Sequence, residues 1–383
     1  MTQTLLEAEN ICFSYEKKDG NVLNNVSLKI GKNVKTALLG ANGAGKSTLF
    51  SILNALNRPG EGRVLYNGEP ISYRKKDILR MRSEVSILFQ NPNDMLFRPN
   101  VEQDVAFGPT NLKLPRDEIE KRVDDALFAV GMSEYKKSPT MKLSYGQRKR
   151  ITLAGVLAMH PQVLIMDEPT AGLDPQMAYE VMEIAEQLHC TGVTVIMSSH
   201  DTDLTYSWAD EIHVMQHGRC QYSGAPEEFY ADKAAVYRAG LLSPSVFLMN
   251  EGLSSIGKVE REPFPRTQTQ MSAKIANNRS GKFGTLHILE VSQDTDITSL
   301  IGEKGLEGLS TGIYGMAARR AHDFSKPAID FMYNGPENCT MKCMAGKDSV
   351  LVCDPIMTDS ARKSAEFINE GGYGDIRIDV IRQ

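Results

Sequence analysis

The sequence predicts an α/β protein in which a large, mostly parallel sheet covered by helices is followed by a smaller α/β domain. Two observations in the 383 residues predict this class. Short apolar segments alternate with segments of helical periodicity over residues 1–245, and a similar alternation resumes over residues 283–383. The intervening residues 246–282 are rich in polar residues, and we predict a linker there.

The larger domain is predicted from short apolar runs that are typical of buried strands. Such runs are found at residues 34–39, 85–89, 163–166, 193–198 and 212–215. Helical periodicity separates them at residues 48–56, 116–130, 147–159 and 176–189.

The C-terminal domain is predicted from weaker signals of the same kind. Strands are expected at residues 286–291, 328–333, 349–353 and 376–381, and helices at residues 313–322 and 358–370. We expect a regulatory or dimerising role for this domain. Sulfur side chains at Cys339, Met341, Cys343, Met344 and Cys353 suggest metal sensing, whereas ordinary core thiols are the alternative.

Composition excludes several classes of protein. The 43 basic and 48 acidic residues give a net charge of −5, so we expect no nucleic-acid partner. No apolar run approaches the roughly 18 residues of a membrane-spanning helix. The N-terminus lacks a secretion signal, and the six scattered cysteines are expected to be reduced thiols of the cytosol.

Residues 40–48, GANGAGKST, have the spacing of a phosphate-binding loop between a predicted strand and a predicted helix. Backbone N–H groups of such a loop surround phosphates, and the helix N-terminus adds its dipole. Lys46 is expected to reach the terminal phosphates of ATP, and the Ser47 hydroxyl to bind Mg²⁺. The residues expected to hold the nucleotide here are Gly40, Asn42, Gly43, Ala44, Gly45, Lys46, Ser47 and Thr48.

Two carboxylates follow the apolar run at residues 163–166. A strand that ends in Asp-Glu commonly accompanies a phosphate loop in the same sheet. Asp167 is expected in the Mg²⁺ shell, and Glu168 is expected to act as the general base that polarises the attacking water.

The stretch LSYGQRKRITLAGVLAMHPQVLIMDEPTAGLD, together with the phosphate loop, closely resembles the ATP-binding cassette subunits of ABC transporters. The resemblance covers roughly residues 5–235, and every expected motif occurs in order. It implies the ABC cassette fold, in which a helical signature subdomain accompanies the sheet, and a dimer in which ATP bridges two subunits.

The resemblance also implies roles for single residues. Tyr15 matches the aromatic residue that stacks on adenine, and Gln90 matches the glutamine that contacts Mg²⁺ and the attacking water. His200 matches the switch histidine, and Asp174 lies in the loop that crosses the dimer interface. The signature residues, which touch the γ-phosphate held by the opposite subunit, are Ser144, Gly146 and Gln147.

Two positions depart from the family pattern. Tyr145 stands where the family usually has glycine, so a backbone with positive φ there would be strained. Met95 stands where energy-coupling-factor ATPases typically have glutamine, and it bears on the contact with the membrane partner.

Residues 91–97, 101–112 and 154–161 resemble ATPases of energy-coupling-factor importers, especially those for cobalt and nickel. The resemblance implies a peripheral subunit on the cytoplasmic face of the membrane. Its partners would be an energy-coupling transmembrane protein and a substrate-binding membrane component, and it would pair with itself or with a sister ATPase. The alternatives are a vitamin or other micronutrient as cargo, a soluble ABC ATPase acting on ribosomes or DNA, and a non-hydrolysing ATP binder.

Overall fold

The computed structural model describes residues 3–16, 20–277 and 281–382. The chain divides into two compact units, of which the first comprises residues 1–181 and 192–244. The second comprises residues 182–191 and 245–383. Among the described residues, no helix is long and apolar enough to cross a membrane.

The first unit is built from alternating strands and helices. Its strands are β1 (Thr4–Phe13), β2 (Leu23–Gly31), β3 (Thr36–Leu39), β4 (Glu61–Tyr66), β5 (Glu69–Pro70), β6 (Val85–Leu88), β7 (Val163–Asp167), β8 (Thr194–Ser198), β9 (Glu211–Gln216) and β10 (Arg219–Gly224). Its helices are α1 (Lys46–Leu53), α2 (Lys75–Glu84), α3 (Val101–Val105), α4 (Phe107–Asn111), α5 (Arg116–Ala129), α6 (Tyr145–Leu157), α7 (Pro175–Cys190), α8 (Thr202–Trp208), α9 (Pro226–Ala231) and α10 (Lys233–Arg238). The second half of α7, from Met182, belongs to the second unit.

The central sheet of the first unit has the strand order β10-β9-β3-β8-β7-β6. Its five strands from β9 to β6 are parallel, and β10 pairs with β9 in the antiparallel sense. Strands β3, β6, β7 and β8 are buried along their whole length, as expected for a parallel sheet that is covered on both faces. The predicted parallel α/β core is therefore confirmed.

A second sheet, with the order β2-β1-β4-β5, is antiparallel and was not predicted from the sequence. Inward residues of β1 and β2, such as Leu6, Ile11 and Val26, join one hydrophobic core with Leu38, Leu49 and Ile165 of the central sheet and α1. This common core fixes the phosphate-loop helix against the sheet. Between β6 and β7 lies the predicted helical subdomain, which contains α3, α4, α5 and the start of α6.

The second unit contains a four-stranded parallel sheet of order β12-β13-β11-β14. Its strands are β11 (Thr285–Glu290), β12 (Ser310–Tyr314), β13 (Ser349–Cys353) and β14 (Arg377–Ile381). Its further helices are α11 (Ser245–Ser255), α12 (Gln268–Ala276), α13 (Ile297–Glu303), α14 (Met316–Ser325), α15 (Gly335–Met344), α16 (Thr358–Ala361) and α17 (Lys363–Glu370). Alternate residues of β13 enter two different hydrophobic clusters, so both faces of this sheet are covered.

The sequence expectations for this unit differ from the structure at several elements. The helix expected at residues 313–322 starts only at Met316, because residues 313 and 314 belong to β12, and α13 was not predicted. Residues 328–333 do not form a strand; their backbone contributes a single bridge between Phe331 and Gly312. Strand β12 was not predicted because it begins with Ser-Thr-Gly and has only two apolar residues, Ile313 and Tyr314. Helix α15 was not predicted because it begins with Gly-Pro, which usually indicates a turn.

The segment 246–282, predicted as a linker, contains α11 and α12. The side chain of Lys274 is buried and donates hydrogen bonds to Oδ1 of Asn250 at 2.8 Å and to the carbonyls of Arg261 and Pro263 at 3.2 and 2.7 Å. The segment is therefore folded into helices despite its polar composition. Its buried ammonium group is tolerated because it donates hydrogen bonds to three acceptors.

Candidate functional site

The ends of four parallel strands meet at one cleft of the first unit. Strand β3 leads into the phosphate loop, β6 leads to Gln90, β7 ends at Asp167, and β8 leads to His200. Functional residues of open parallel sheets gather at the carboxyl ends of the strands, as they do here. The cleft has a volume of about 190 Å³ and is lined by Val22, Asn42, Gly43, Ala44, Gly45, Lys46, Ser47, Thr48, Gln90, Asp167, Glu168 and His200.

The phosphate loop turns sharply into α1. Gly45 has φ 99° and precedes the first residue of the helix, and a Cβ atom there would lie 2.7 Å from Cδ2 of Leu23. The left-handed backbone conformation therefore favours glycine, and any larger residue would also displace the Leu23 side chain. The N-terminus of α1 consequently faces the cleft, where its free N–H groups and dipole favour phosphate.

Lys46 is buried beside this turn. Its Nζ donates hydrogen bonds to the carbonyl of Gly40 at 2.7 Å and to that of Ala41 at 3.3 Å. Burial lowers the pKa of Lys46, while the nearby carboxylates of Glu168 and Asp167 act in the opposite direction. Nζ lies 3.8 Å from Oε1 of Glu168, and both side chains line the cleft.

The two carboxylates at the end of β7 are tied to β8 by a residue that the sequence analysis did not select. Ser198 pairs with Asp167 across the two strands and donates its hydroxyl to Oδ1 of Asp167 at 2.6 Å. The same Oγ accepts the backbone N–H of Glu168 at 3.0 Å. Its position at the end of a predicted strand was a usable signal, since side chains at the ends of adjacent strands meet.

Glu168 is held in an unusual backbone conformation. Its φ of 46° lies in the left-handed region, which is uncommon for glutamate, and its side chain is largely buried. Burial raises the pKa of Glu168, and the neighbouring His200 and Lys46 act in the opposite direction. Nε2 of His200 lies 2.9 Å from Oε1 of the same carboxylate, so the structure brings Glu168, Lys46 and His200 together.

The cleft also contains the three side chains that the sequence predicts for Mg²⁺. The hydroxyl of Ser47, the amide of Gln90 and the carboxylate of Asp167 all line it. Oxygen donors of this kind are the ligands that Mg²⁺ prefers, so the donor set fits the ion.

Tyr15 lies beside the phosphate loop but does not line the cleft itself. Its hydroxyl is 3.1 Å from Oγ1 of Thr48, and its ring meets that of Phe13 edge to face at 5.0 Å. Tyr15 is 63% exposed, so its side chain is accessible for stacking.

The signature residues are not part of this cleft. Ser144 caps α6: its Oγ accepts the N–H of Gln147 at 3.3 Å, and the Gln147 side chain accepts the N–H of Ser144 at 2.9 Å. A Cβ atom at Gly146 would lie 2.0 Å from Sδ of Met177, so a larger residue there would displace the Met177 side chain where α6 approaches α7. Asp174 is exposed and caps α7 through the N–H of Met177 at 2.9 Å.

The two departures from the family pattern are accommodated locally. Tyr145 begins α6 and does not have a positive φ, so the expected strain is not present. Its ring lies against Gly172, with a ring carbon 3.3 Å from where a Cβ atom of Gly172 would be. Sδ of Met95 accepts the backbone N–H of Phe89 at 3.3 Å, directly before Gln90.

Three cysteines of the second unit are core thiols. Cys339, Cys343 and Cys353 are fully buried, and burial raises the pKa of Cys339 to about 12 and that of Cys343 to about 11. Within the described ranges, no cluster of His, Cys, Asp and Glu is arranged to hold a metal ion. The structure therefore favours the core-thiol alternative over metal sensing.

Comparison with known proteins gives consistent matches. The family model of the ABC transporter domain matches residues 23–171. The energy-coupling factor transporter ATP-binding protein EcfA2 of Methanospirillum hungatei is 35% identical over 385 residues, which are 98% of this chain and 96% of that protein. EcfA of Methanocaldococcus jannaschii is 46% identical over 243 residues, covering 63% of this chain and 86% of that protein.

Two solved structures extend the comparison. The structure of cbiO1 from Clostridium perfringens, part of the ABC transporter complex cbiONQ, has a TM-score of 0.56 and 41% identity, covering 67% of this chain and 98% of cbiO1. The dimeric post-hydrolysis structure of the ATP-binding cassette MJ0796 with ADP and Pi has a TM-score of 0.53 at 22% identity, over 58% of this chain and 98% of that one, and supports the fold. Because EcfA2 matches nearly the whole chain, the chain belongs to the energy-coupling factor transporter ATP-binding proteins, the ABC-type ATPases that couple ATP hydrolysis to transport.

Proposed function

We propose that this chain is the ATPase of an energy-coupling-factor importer for a transition-metal ion, with cobalt or nickel as cargo. The observation that carries the catalytic part is the convergence of Lys46, Glu168 and His200 beside the phosphate loop in one cleft. The choice of cargo rests on the resemblance of residues 91–97, 101–112 and 154–161 to cobalt and nickel importer ATPases, and on the 41% identity to cbiO1.

In this proposal the cleft holds the triphosphate of ATP, and Tyr15 stacks on adenine. Backbone N–H groups of the phosphate loop and the ammonium group of Lys46 neutralise the phosphate charge. Ser47, Gln90 and Asp167 would hold Mg²⁺, which supplies additional positive charge against the phosphate oxygens when bound. Ser198 keeps the Asp167 carboxylate oriented through its 2.6 Å hydrogen bond.

The chemical step is the attack of a water oxygen on the γ-phosphorus. The bond between that phosphorus and the β–γ bridging oxygen breaks, and ADP leaves with the electron pair. Glu168 accepts a proton from the attacking water, and burial, which raises the pKa of this carboxyl, makes it a stronger base. His200 lies 2.9 Å from Glu168 and orients that carboxylate.

Ser144, Gly146, Gln147 and Asp174 belong to a second surface in this proposal. They do not line the cleft, and Ser144 and Asp174 are exposed. The N-terminus of α6 can therefore meet the γ-phosphate of ATP held by another ATPase subunit, either a second copy or a sister chain. ATP then joins two subunits, and its hydrolysis releases them.

Membrane partners are the remaining part of the proposal. We expect the chain to act as a peripheral subunit that docks on integral membrane transport subunits. Two exposed apolar side chains of the first unit support such a contact, since Phe97 is 66% and Met141 is 84% exposed. The second unit is assigned a regulatory or dimerising role, with no part in the chemical step.

The test is co-purification from membranes followed by uptake measurements. Tagged wild-type chain should bring an integral membrane protein with it, whereas a Phe97→Ser, Met141→Ser variant should bring much less. Cells that make the wild-type chain should accumulate radiolabelled cobalt or nickel, and cells that make Glu168→Gln should not. Uptake of a vitamin instead would overturn the metal cargo, and recovery of no membrane protein would overturn the transporter role.

A further inference from the structure

Lys149 is a buried charged residue close to the cleft that the proposed reaction does not use. It lies in the second turn of α6 and is fully buried, with 0% of its surface exposed. Its Nζ donates a hydrogen bond to the carbonyl of Gln90 at 2.6 Å and to that of Phe89 at 3.3 Å. Lysine is rarely fully buried, and these two carbonyl acceptors offset the free-energy cost of removing its charge from water.

Burial and two nearby carboxylates act in opposite directions on the pKa of the ammonium group of Lys149. Burial lowers the pKa of Lys149 to about 8, while the carboxylates of Asp167 and Glu168 act in the opposite direction. The same two carboxylates lie in the cleft, so the field of Lys149 reaches the catalytic end of β7. Its two hydrogen bonds are made to backbone carbonyls of the segment that carries Gln90.

The neighbouring residue of α6 makes a second connection to that segment. Nη1 of Arg148 donates to Oδ1 of Asn93 at 2.8 Å, and Nε donates to the carbonyl of Leu143 at 3.0 Å. The segment from Phe89 to Asn93 is therefore bound to the start of α6 at two points. Ser144, which caps this helix, is separated from Lys149 by little more than one helical turn.

We propose that Lys149 is a positioning residue that couples the signature helix to Gln90. Lys149 holds the backbone of Gln90 against α6. A shift of α6 when Ser144 contacts the ATP of a second subunit would therefore move the Gln90 amide in the chain's own cleft. This inference rests on the proposed function, because it takes the roles of Gln90 and Ser144 from there. If Lys149 only stabilised the fold, its removal would lower the melting temperature and would not act on hydrolysis through Gln90.

The chain offers a matched control for that distinction. Lys274 in the second unit is also buried and also donates to backbone carbonyls, those of Arg261 and Pro263. Loss of its amine should lower the melting temperature without changing the ratio of kcat to KM. Lys149→Met and Lys274→Met remove the same chemical group from sites of similar burial.

The experiment is a double-mutant cycle on ATP hydrolysis by the full chain. The variants are Lys149→Met, Gln90→Ala and the pair, with Lys274→Met as the control. We expect Lys149→Met to lower kcat about ten- to hundredfold, as is typical when a group that orients a metal ligand is removed, and to leave the KM for ATP nearly unchanged. When Gln90→Ala is already present, adding Lys149→Met should lower kcat by less than another threefold. The two changes are not additive because Lys149 acts through the Gln90 side chain.

Equal effects of Lys149→Met in the two backgrounds, or unchanged kcat in the single variant, would contradict the inference. If Lys149→Met melts far below Lys274→Met, Lys149→Gln replaces it, and the same non-additivity with Gln90→Ala is required. Lys149→Arg, which keeps the cation and its donors, should recover most of the activity. A Gln90→Ala variant with normal hydrolysis would instead overturn the proposed role of Gln90, so the two failures are distinguishable.

Discussion

The hydroxyl of Ser198 donates a hydrogen bond to Oδ1 of Asp167 at 2.6 Å, and its oxygen accepts the N–H of Glu168 at 3.0 Å. One side chain thus orients a carboxylate and supports the next residue in its left-handed conformation, φ 46°. Strained backbone of this kind persists only where the surroundings hold it. The register of β7 against β8 places Ser198 there.

Ser198→Ala should therefore lower the rate of ATP hydrolysis about ten- to hundredfold, because it removes the group that orients two cleft residues. ATP affinity should change little, since Lys46 and the phosphate loop are untouched. Steady-state hydrolysis and equilibrium ATP binding test this. Ser86→Ala is the matched control, as Ser86 is a buried serine of the same sheet whose hydroxyl donates to the carbonyl of Arg82; equal losses in both variants would refute the specific role.

Lys46→Ala should weaken ATP binding itself. The ammonium group supplies charge-assisted hydrogen bonds to phosphate, so its loss should raise the Kd for ATP about ten- to hundredfold. Titration with a fluorescent ATP analogue measures this. Lys29→Ala, which removes a surface lysine paired with Glu7 at 3.1 Å, should bind ATP like the wild type. An unchanged Kd for Lys46→Ala would mean that the loop at residues 40–48 does not bind phosphate.

Glu183 should be important for the stability of the second unit. Its carboxylate is buried, accepts two hydrogen bonds from Arg319 at 3.0 and 2.9 Å, and accepts the N–H of Gly315 at 2.8 Å. Glu183→Ala removes the carboxylate that binds the largely buried guanidinium of Arg319, and should lower the free energy of unfolding by about 3–5 kcal/mol. Glu251→Ala breaks a more exposed pair with Arg261 and should lower it by about 0–1 kcal/mol.

Chemical denaturation of the full chain checks this pair of variants. Equal effects of Glu183→Ala and Glu251→Ala on the second unit's transition would show that burial does not strengthen the Arg319 pair.

His213 should make the stability of the first unit depend on pH. Burial lowers its pKa from 6.5 to about 4, and Nδ1 is 2.8 Å from Oγ of Ser223. Between these pH values the unfolded chain binds more protons than the folded one, so stability falls as pH is lowered from about 6.5 to about 4. The loss is on the order of 3 kcal/mol. Melting temperatures measured from pH 4 to pH 7 should decline less steeply for His213→Gln, and identical slopes would contradict the assignment.

The sequence predicted those parts of the site that lie within one short stretch of chain. Gly40 to Thr48 and Asp167 with Glu168 are local patterns, because phosphate binding needs consecutive backbone groups and strand-end carboxylates. Lys149 and Ser198 were missed because their partners are distant in the sequence and are brought near only by strand order and helix packing. Residues 328–333 were wrongly predicted as a strand because partly buried Phe331 and Met332 give an apolar pattern without regular strand pairing.

The measurement that tests the central claim most directly is the oligomeric state of Glu168→Gln with Mg-ATP. Loss of the base should reduce hydrolysis at least a hundredfold while ATP still binds. The trapped nucleotide should then hold two ATPase subunits together, so light scattering should show twice the monomer mass with Mg-ATP and less association with ADP. A Glu168→Gln chain that binds Mg-ATP yet associates with neither a second copy nor a sister ATPase, or that hydrolyses ATP at the wild-type rate, would contradict the account.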